Sequence, residues 1–182
     1  GSGNNHNINF FSDLYEIKTS LNHNSIIDTN SEGLIGFHFQ NYDQGALGQE
    51  ESHLVHTRTS SFALFALESF NFDLFDLDIG GRIESVNLKN TSMEKGFFPG
   101  AFSSTIKREI FTNNTFYGGF DFTERAPNAV ELFANGPHHA LEQFEIGDSN
   151  MDVETSYNFS LGYSYNDGLD TLKIETYYNY ID

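Results

Sequence analysis

Glu154-Thr155-Ser156-Tyr157-Asn158-Phe159-Ser160-Leu161-Gly162-Tyr163-Ser164-Tyr165 decides the fold. Odd positions from Tyr157 onward carry Tyr, Phe, Leu, Tyr and Tyr, whereas even positions carry Glu, Ser, Asn, Ser, Gly and Ser. Side chains alternate between the two faces of a strand, so period 2 predicts a strand with one apolar and one polar face. Leu169–Ile181 repeats the pattern, with Leu172, Ile174, Thr176, Tyr178 and Tyr180 set against Thr171, Lys173, Glu175, Tyr177 and Asn179. Asn166-Asp167-Gly168 between the runs reads as a tight turn, because these residues tolerate positive φ.

Working outward, six more runs alternate, over 13–24, 33–42, 57–68, 72–86, 102–111 and 115–123. Phe65 and Leu67 interrupt the polar face of the 57–68 run. The expectation is about eight antiparallel strands and no helix. Connections near 25–31, 69–71, 112–114 and 166–168 are short, and those near 43–56, 87–101 and 124–152 are long. In an up-and-down meander this rhythm places all short turns at one end and all long loops at the other.

Composition bounds the function. The 182 residues hold 26 acidic and 9 basic side chains, a net charge of −17. Nothing in such a chain neutralises a run of phosphates, which argues against nucleic acid as a partner. The absence of Cys removes disulfide scaffolds and thiolate metal sites. Nineteen Phe and nine Tyr coexist with a negative mean hydropathy. No paired carboxylates or Ser/His/Asp set is placed for catalysis, and Gly80-Gly81 and Gly118-Gly119 precede no helix that would make a phosphate loop. An enzyme is not expected.

A two-faced sheet suits a soluble, acidic, secreted β-sandwich that binds carbohydrate or Ca²⁺. It also suits a membrane barrel. Three features favour the barrel. Several runs alternate for ten residues or more, whereas soluble strands average about 5–6 and a tilted membrane strand needs about 9–11. Short turns at one end and long loops at the other describe an outer-membrane barrel. Tyr163, Tyr165, Tyr178 and Tyr180 lie toward strand ends on the apolar face, where an interfacial aromatic girdle would sit. A closed eight-stranded barrel would have to pack Glu16, Lys18, His38, Asp76, Asp78, Arg82 and Glu84 into an interior just wide enough for side chains. A wider lumen solvates them more easily.

The segment Thr123-Glu124-Arg125-Ala126-Pro127, followed by Glu131-Leu132-Phe133-Ala134-Asn135-Gly136-Pro137-His138, Phe144-Glu145-Ile146-Gly147-Asp148 and Glu154-Thr155-Ser156, resembles the barrel of TonB-dependent outer-membrane receptors. Gly33–Asn41, Thr59–Glu68 and Ile79–Glu84 are similar to further strands of that family. The resemblance is closest to receptors for zinc or iron–siderophore uptake. It implies that residues 1–182 are one partial barrel domain, about a third of a wall of about 22 strands. It further implies a plug domain, TonB box, signal peptide and terminal strand outside this chain. Other implied features are contact with outer-membrane lipid, dependence on the TonB energy-transducing complex, and location in the bacterial outer membrane. No permanent cofactor is expected. The transported ligand would be Zn²⁺, an Fe³⁺–siderophore or haem.

Loop 124–152 is the expected ligand contact, through Glu131, His138, His139 and Glu142. Imidazole and carboxylate are Zn²⁺ ligands, so His138, His139 and Glu131 are the candidate metal set. Adjacent His side chains diverge, so at most one of the two would hold a given ion. The competing reading leaves both His in a solvated loop. Asp43, Glu50, Glu51, His53 and His56 form a weaker cluster, and His38 with Asp76 and Asp78 reads as hydrated wall. Arg125-Ala126-Pro127 is expected only to guide the chain out of the strand, since Pro fixes its own φ and restricts Ala126.

Overall fold

The computed structural model describes residues 8–24, 31–48, 54–138 and 143–182. The strands are β1 (Ile8–Asn24), β2 (Ser31–Gly48), β3 (Thr57–Asn71), β4 (Asp76–Lys89), β5 (Glu94–Phe97), β6 (Gly100–Phe111), β7 (Asn114–Arg125), β8 (Asn135–His138), β9 (Gln143–Ile146), β10 (Glu154–Asn166) and β11 (Thr171–Ile181). One short helix, α1 (Ala129–Phe133), follows β7. The main sheet runs β1-β2-β3-β4-β6-β7-β10-β11, antiparallel throughout, with β5 folded back on β4. The eight strands expected from alternation are the eight on this path. A separate hairpin joins β8 to β9.

Register explains why alternation was so regular. Phe122, Tyr157 and Tyr180 form one row across β7, β10 and β11, and Phe116, Tyr163 and Ile174 form another. Neighbouring rings in these rows touch at 4.9–6.4 Å between centroids. Cross-strand aromatic pairs of this kind are what stabilise a sheet face. Among the described residues no second sheet covers this face, and Leu161 and Ile83 are 66% and 67% exposed. The soluble sandwich fails here, because a sandwich buries such a face against its partner sheet. The closed eight-stranded barrel fails too, since β1 and β11 are the two ends of the path and do not pair with each other.

Tyrosines mark both margins of the apolar face. Toward the short turns, Tyr163 donates to Asn114 Oδ1 (2.6 Å) and Tyr165 to Asp167 Oδ2 (2.9 Å). Tyr157 and Tyr180 lie toward the long loops. The eight residue steps from Tyr157 to Tyr165 span about 26 Å along the strand, close to the apolar band of about 25 Å in outer-membrane barrels. Tyr178 pairs with Phe159 one row in from Tyr180, as Tyr163 lies one row in from Tyr165.

The polar face carries an ion-pair lattice. His38 Nε2 lies 2.9 Å from Glu16, Arg82 lies 3.0 Å from Glu84, and Lys107 reaches Asp78 at 2.9 Å. Phe65 sits on this face with Lys18 Nζ 5.5 Å from its ring centre. Glycines make room for such large neighbours. A Cβ at Gly162 would run into the Tyr117 ring. On the opposite face, near the short turns, His23 Nε2 approaches Glu68 Oε1 to 3.0 Å across Gly33, off the hydrogen-bond direction.

Boundaries differ from expectation in two places. The β3–β4 turn falls at 72–75 rather than 69–71, closed by the Phe72 N–H on the Phe75 carbonyl (3.0 Å) and by the packed Phe70, Phe72 and Phe75 rings. Residues 43–48, expected as loop, continue β2 against Ile8–Asp13 of β1. Asp43-Gln44-Gly45-Ala46 does not alternate apolar with polar residues, so period 2 could not reveal it. The Asn166–Gly168 turn holds, with Gly168 at φ +89° and Asp167 accepting the N–H groups of Leu169 and Asp170.

Leu161→Arg, halfway between the two tyrosine margins, is expected to cost the full-length barrel about 2–4 kcal/mol in lipid vesicles. Ser160→Arg on the polar face should cost far less. Equilibrium denaturation of the two variants in the same vesicles checks the difference.

Candidate functional site

The long connection after β7 folds back over the polar side of the wall. The inner surface of β4 changes character toward the long-loop end, from Arg82 and Glu84 to Val86 and Leu88. There Leu88 and Phe97 from the wall pack with Ala129, Leu132 and Phe133 of α1, flanked by Val55, Val86, Ala126 and Val153. This is the buried apolar cluster among the described residues. The turn-and-a-half of α1 is thus held by burial, since five residues are too few for a helix to persist alone.

Capping completes it. Asn128 Oδ1 accepts the N–H groups of Val130 and Glu131 (2.9 Å each), and Glu131 Oε2 accepts the Asn128 N–H (2.7 Å). This reciprocal box satisfies donors that a helix start otherwise leaves open. Arg125 then grips Glu131 in a fork, Nη1 to Oε2 at 2.9 Å and Nη2 to Oε1 at 3.1 Å. Its Nη2 also reaches Glu154 Oε2 at 3.3 Å, so one guanidinium joins the end of β7, the start of β10 and the helix between them. The Arg125 fork and the Asn128 N–H hold the Glu131 carboxyl below the ordinary range for glutamate.

The β8–β9 hairpin rises from α1 on a closed neck. The Gly147 N–H donates to the Ala134 carbonyl (2.7 Å) and the Asp148 N–H to the Glu131 carbonyl (2.8 Å). A Cβ at Gly147 would come within 2.7–2.8 Å of backbone atoms of Leu132, Phe133 and Ala134, so only glycine closes the neck. Phe144 and Ile146 of the hairpin are exposed. Beneath α1 a hollow of about 600 Å³ opens on the inner wall, lined in part by Gln40, Tyr42, Gln44 and Thr59.

Of the expected site residues, Glu131 has its carboxylate engaged by Arg125 and Asn128. His138 ends β8, paired in register with Gln143. His139 and Glu142 lie outside the described residues, as do Glu50, Glu51 and His53. Among the described residues no three His, Asp or Glu side chains gather as a metal-binding group. Asp43 is bound by Arg58 (2.8 Å) and His56 (2.6 Å). Arg125 is the residue that sequence reasoning undervalued. Asn128-x-x-Glu131, a capping box directly after Pro127, marked the helix start but not the convergence of Glu131 and Glu154 on Arg125.

The model of the TonB dependent receptor-like, beta-barrel family matches residues 1–182. The chain belongs to that family. Among solved structures this receptor-like barrel chain is similar to one titled "Copper transporter OprC", at 13% sequence identity and a TM-score of 0.73. The match covers 96% of this chain and 31% of that one. A likeness at this identity establishes the shared barrel wall.

Glu131→Ala removes the fork and the Glu131 half of the box while leaving the Asn128 cap, at a cost of about 1.5–3 kcal/mol for the lost charged hydrogen bonds. Amide hydrogens of α1 and of the hairpin neck are expected to exchange several-fold faster in the full-length protein. Because the Glu131 carboxyl titrates lower in the folded loop than in an unfolded one, its contribution is complete above the ordinary glutamate pKa. It is lost as pH falls through the lowered value. Exchange measured against pH should show this loss in the native protein and not in Glu131→Ala.

Proposed function

We propose that the chain is part of the wall and rim of an outer-membrane receptor. The receptor captures a scarce metal ion or metal chelate at its outward loops and admits it past a plug. The observation that carries the proposal is the pairing of two surfaces on one sheet. An uncovered apolar face bounded by tyrosines fits lipid. The opposite face is charged, and only at its loop end does it turn apolar and accept a folded-in loop. The family match across the chain supports the same reading.

In this reading the long loops face outward and the short turns face the periplasm. The receptor's role is binding and passage, powered through the TonB complex, with the plug supplied by sequence outside this chain. Its ligand is Zn²⁺, an Fe³⁺–siderophore or haem. Copper joins these through the structural neighbour. The hairpin tip carrying His138 and His139, with Glu142, is the proposed contact for a metal. Glu131 now serves that contact by holding α1 in place.

Cells producing the full-length receptor should take up one of these ligands only when the TonB complex is intact. The purified receptor should need detergent or lipid to stay monomeric. A soluble, cooperatively folded monomer without detergent overturns the membrane assignment. His138→Ala combined with His139→Ala is expected to weaken zinc binding at least tenfold by calorimetry. Unchanged zinc affinity removes the hairpin from a zinc site.

A further inference from the structure

The apolar face of the sheet holds a hollow of about 450 Å³ over β6, β7 and β10. Ile106, Ile110, Phe116 and Leu161 wall it, and its lining is almost wholly apolar. Its floor is Gly118, in register with Ile106 on one side and Leu161 on the other. A Cβ there would meet Leu161 Cδ2 at 3.4 Å and Ile106 Cγ2 at 3.9 Å, which are ordinary contact distances. A side chain would therefore fit, and the hollow exists because glycine supplies none.

One charged side chain stands in the same wall. Arg108 lies between Ile106 and Ile110 on β6, is exposed, and shares a row with Phe116, Tyr163 and Ile174. An arginine on a lipid face costs little only near the interface. Tyr163, bonded to Asn114, marks that level at the short-turn margin. From there the aliphatic stem of Arg108 can lie against apolar surface while its guanidinium reaches the headgroups. Arg58 and Lys89 share the parity of this face at the long-loop end, and Asp43 (2.8 Å) and Glu94 (3.0 Å) neutralise them. Among the described residues, Arg108 has no carboxylate partner.

We propose that the hollow seats an acyl chain of an anionic phospholipid in the periplasmic leaflet, with the lipid phosphate on Arg108. The inference rests on the receptor reading above and deepens it by naming the lipid. A guanidinium is a planar fork of donors that matches phosphate oxygens. The acyl chain is apolar and joined to the headgroup, so one molecule meets both features. Charge selects the lipid class. A zwitterionic headgroup brings its own ammonium to balance the phosphate, whereas an anionic one leaves its charge to the guanidinium. The chain as a whole carries a net charge of −17 and disfavours anions, which makes Arg108 the local source of any preference.

The test places the full-length receptor in vesicles of phosphatidylethanolamine and phosphatidylglycerol, with one of the two lipids carrying a photoreactive group at mid-chain. Peptide mapping after illumination reads the labelling of the β6–β7 hairpin. The phosphatidylglycerol probe should label it about fivefold more than the phosphatidylethanolamine probe, the preference one cation confers near an anionic headgroup. Arg108→Gln should abolish that preference, and Arg108→Lys should retain part of it. Gly118→Leu fills the hollow and should lower labelling by both probes alike. Lys89→Gln, at the other margin, should change neither. Heat-modifiable migration on a gel confirms that each variant barrel is folded. Equal labelling by the two probes in the native protein, or an unaltered preference in a folded Arg108→Gln barrel, overturns the site and leaves the receptor reading standing. A receptor dimer that shields the hairpin from both probes assigns the face to a second copy and also overturns the site. A protein that fails to insert in vesicles overturns both readings.

Discussion

Backbone hydrogen bonding inside the ladder is the constraint on which everything else rests. The apolar face is covered by no other part of the described chain, so no side chain or loop there can satisfy a stray N–H or carbonyl. In hydrocarbon such groups cost several kcal/mol each, and spanning strands must satisfy them through their neighbours. The unbroken antiparallel path from β1 to β11 meets that demand for every interior strand. The two edge strands are complete only when other strands of the wall pair with them.

Once the ladder is fixed, side-chain parity distributes the chemistry. One parity supplies aromatic and aliphatic contacts, with tyrosine hydroxyls bonded to Asn114 and Asp167 at the short-turn margin. The other supplies ion pairs that neutralise most of the wall's own cations, as at Lys107–Asp78 and Lys173–Glu175. Only where Val86 and Leu88 replace charge on the inner surface can a loop settle by hydrophobic burial. The rim core is therefore a local departure from the alternation that builds the wall, and it specifies where the chain folds inward.

Much of the wall was legible in the sequence because period 2 reports directly on a sheet with unlike faces. Tyr157 to Tyr165 could be assigned to a face residue by residue. The extension of β2 through 43–48 was not legible, because Asp43-Gln44-Gly45-Ala46 does not alternate apolar with polar residues. Helix α1 escaped because five residues show no helical period, although its cap, Asn128 with Glu131, was in plain view. The Arg125 fork was missed for a different reason. Loop 124–152 shows a lone arginine among many acids, but only the fold shows that two carboxylates converge on it. The candidate ligand residues were legible as residue types, and His139 and Glu142 lie outside the described residues.

The glycine neck at Ala134 and Gly147 gives the outward loop the construction of an interchangeable part. Residues 135–146 leave and rejoin the rim at adjoining points, and the seam is made by backbone atoms that do not depend on the hairpin's side chains. The apolar face, the charge lattice of the opposite face and the α1 seat make no use of that segment's identity. Residues 135–146 can therefore change in sequence while the wall, the charge lattice and the α1 seat stay untouched.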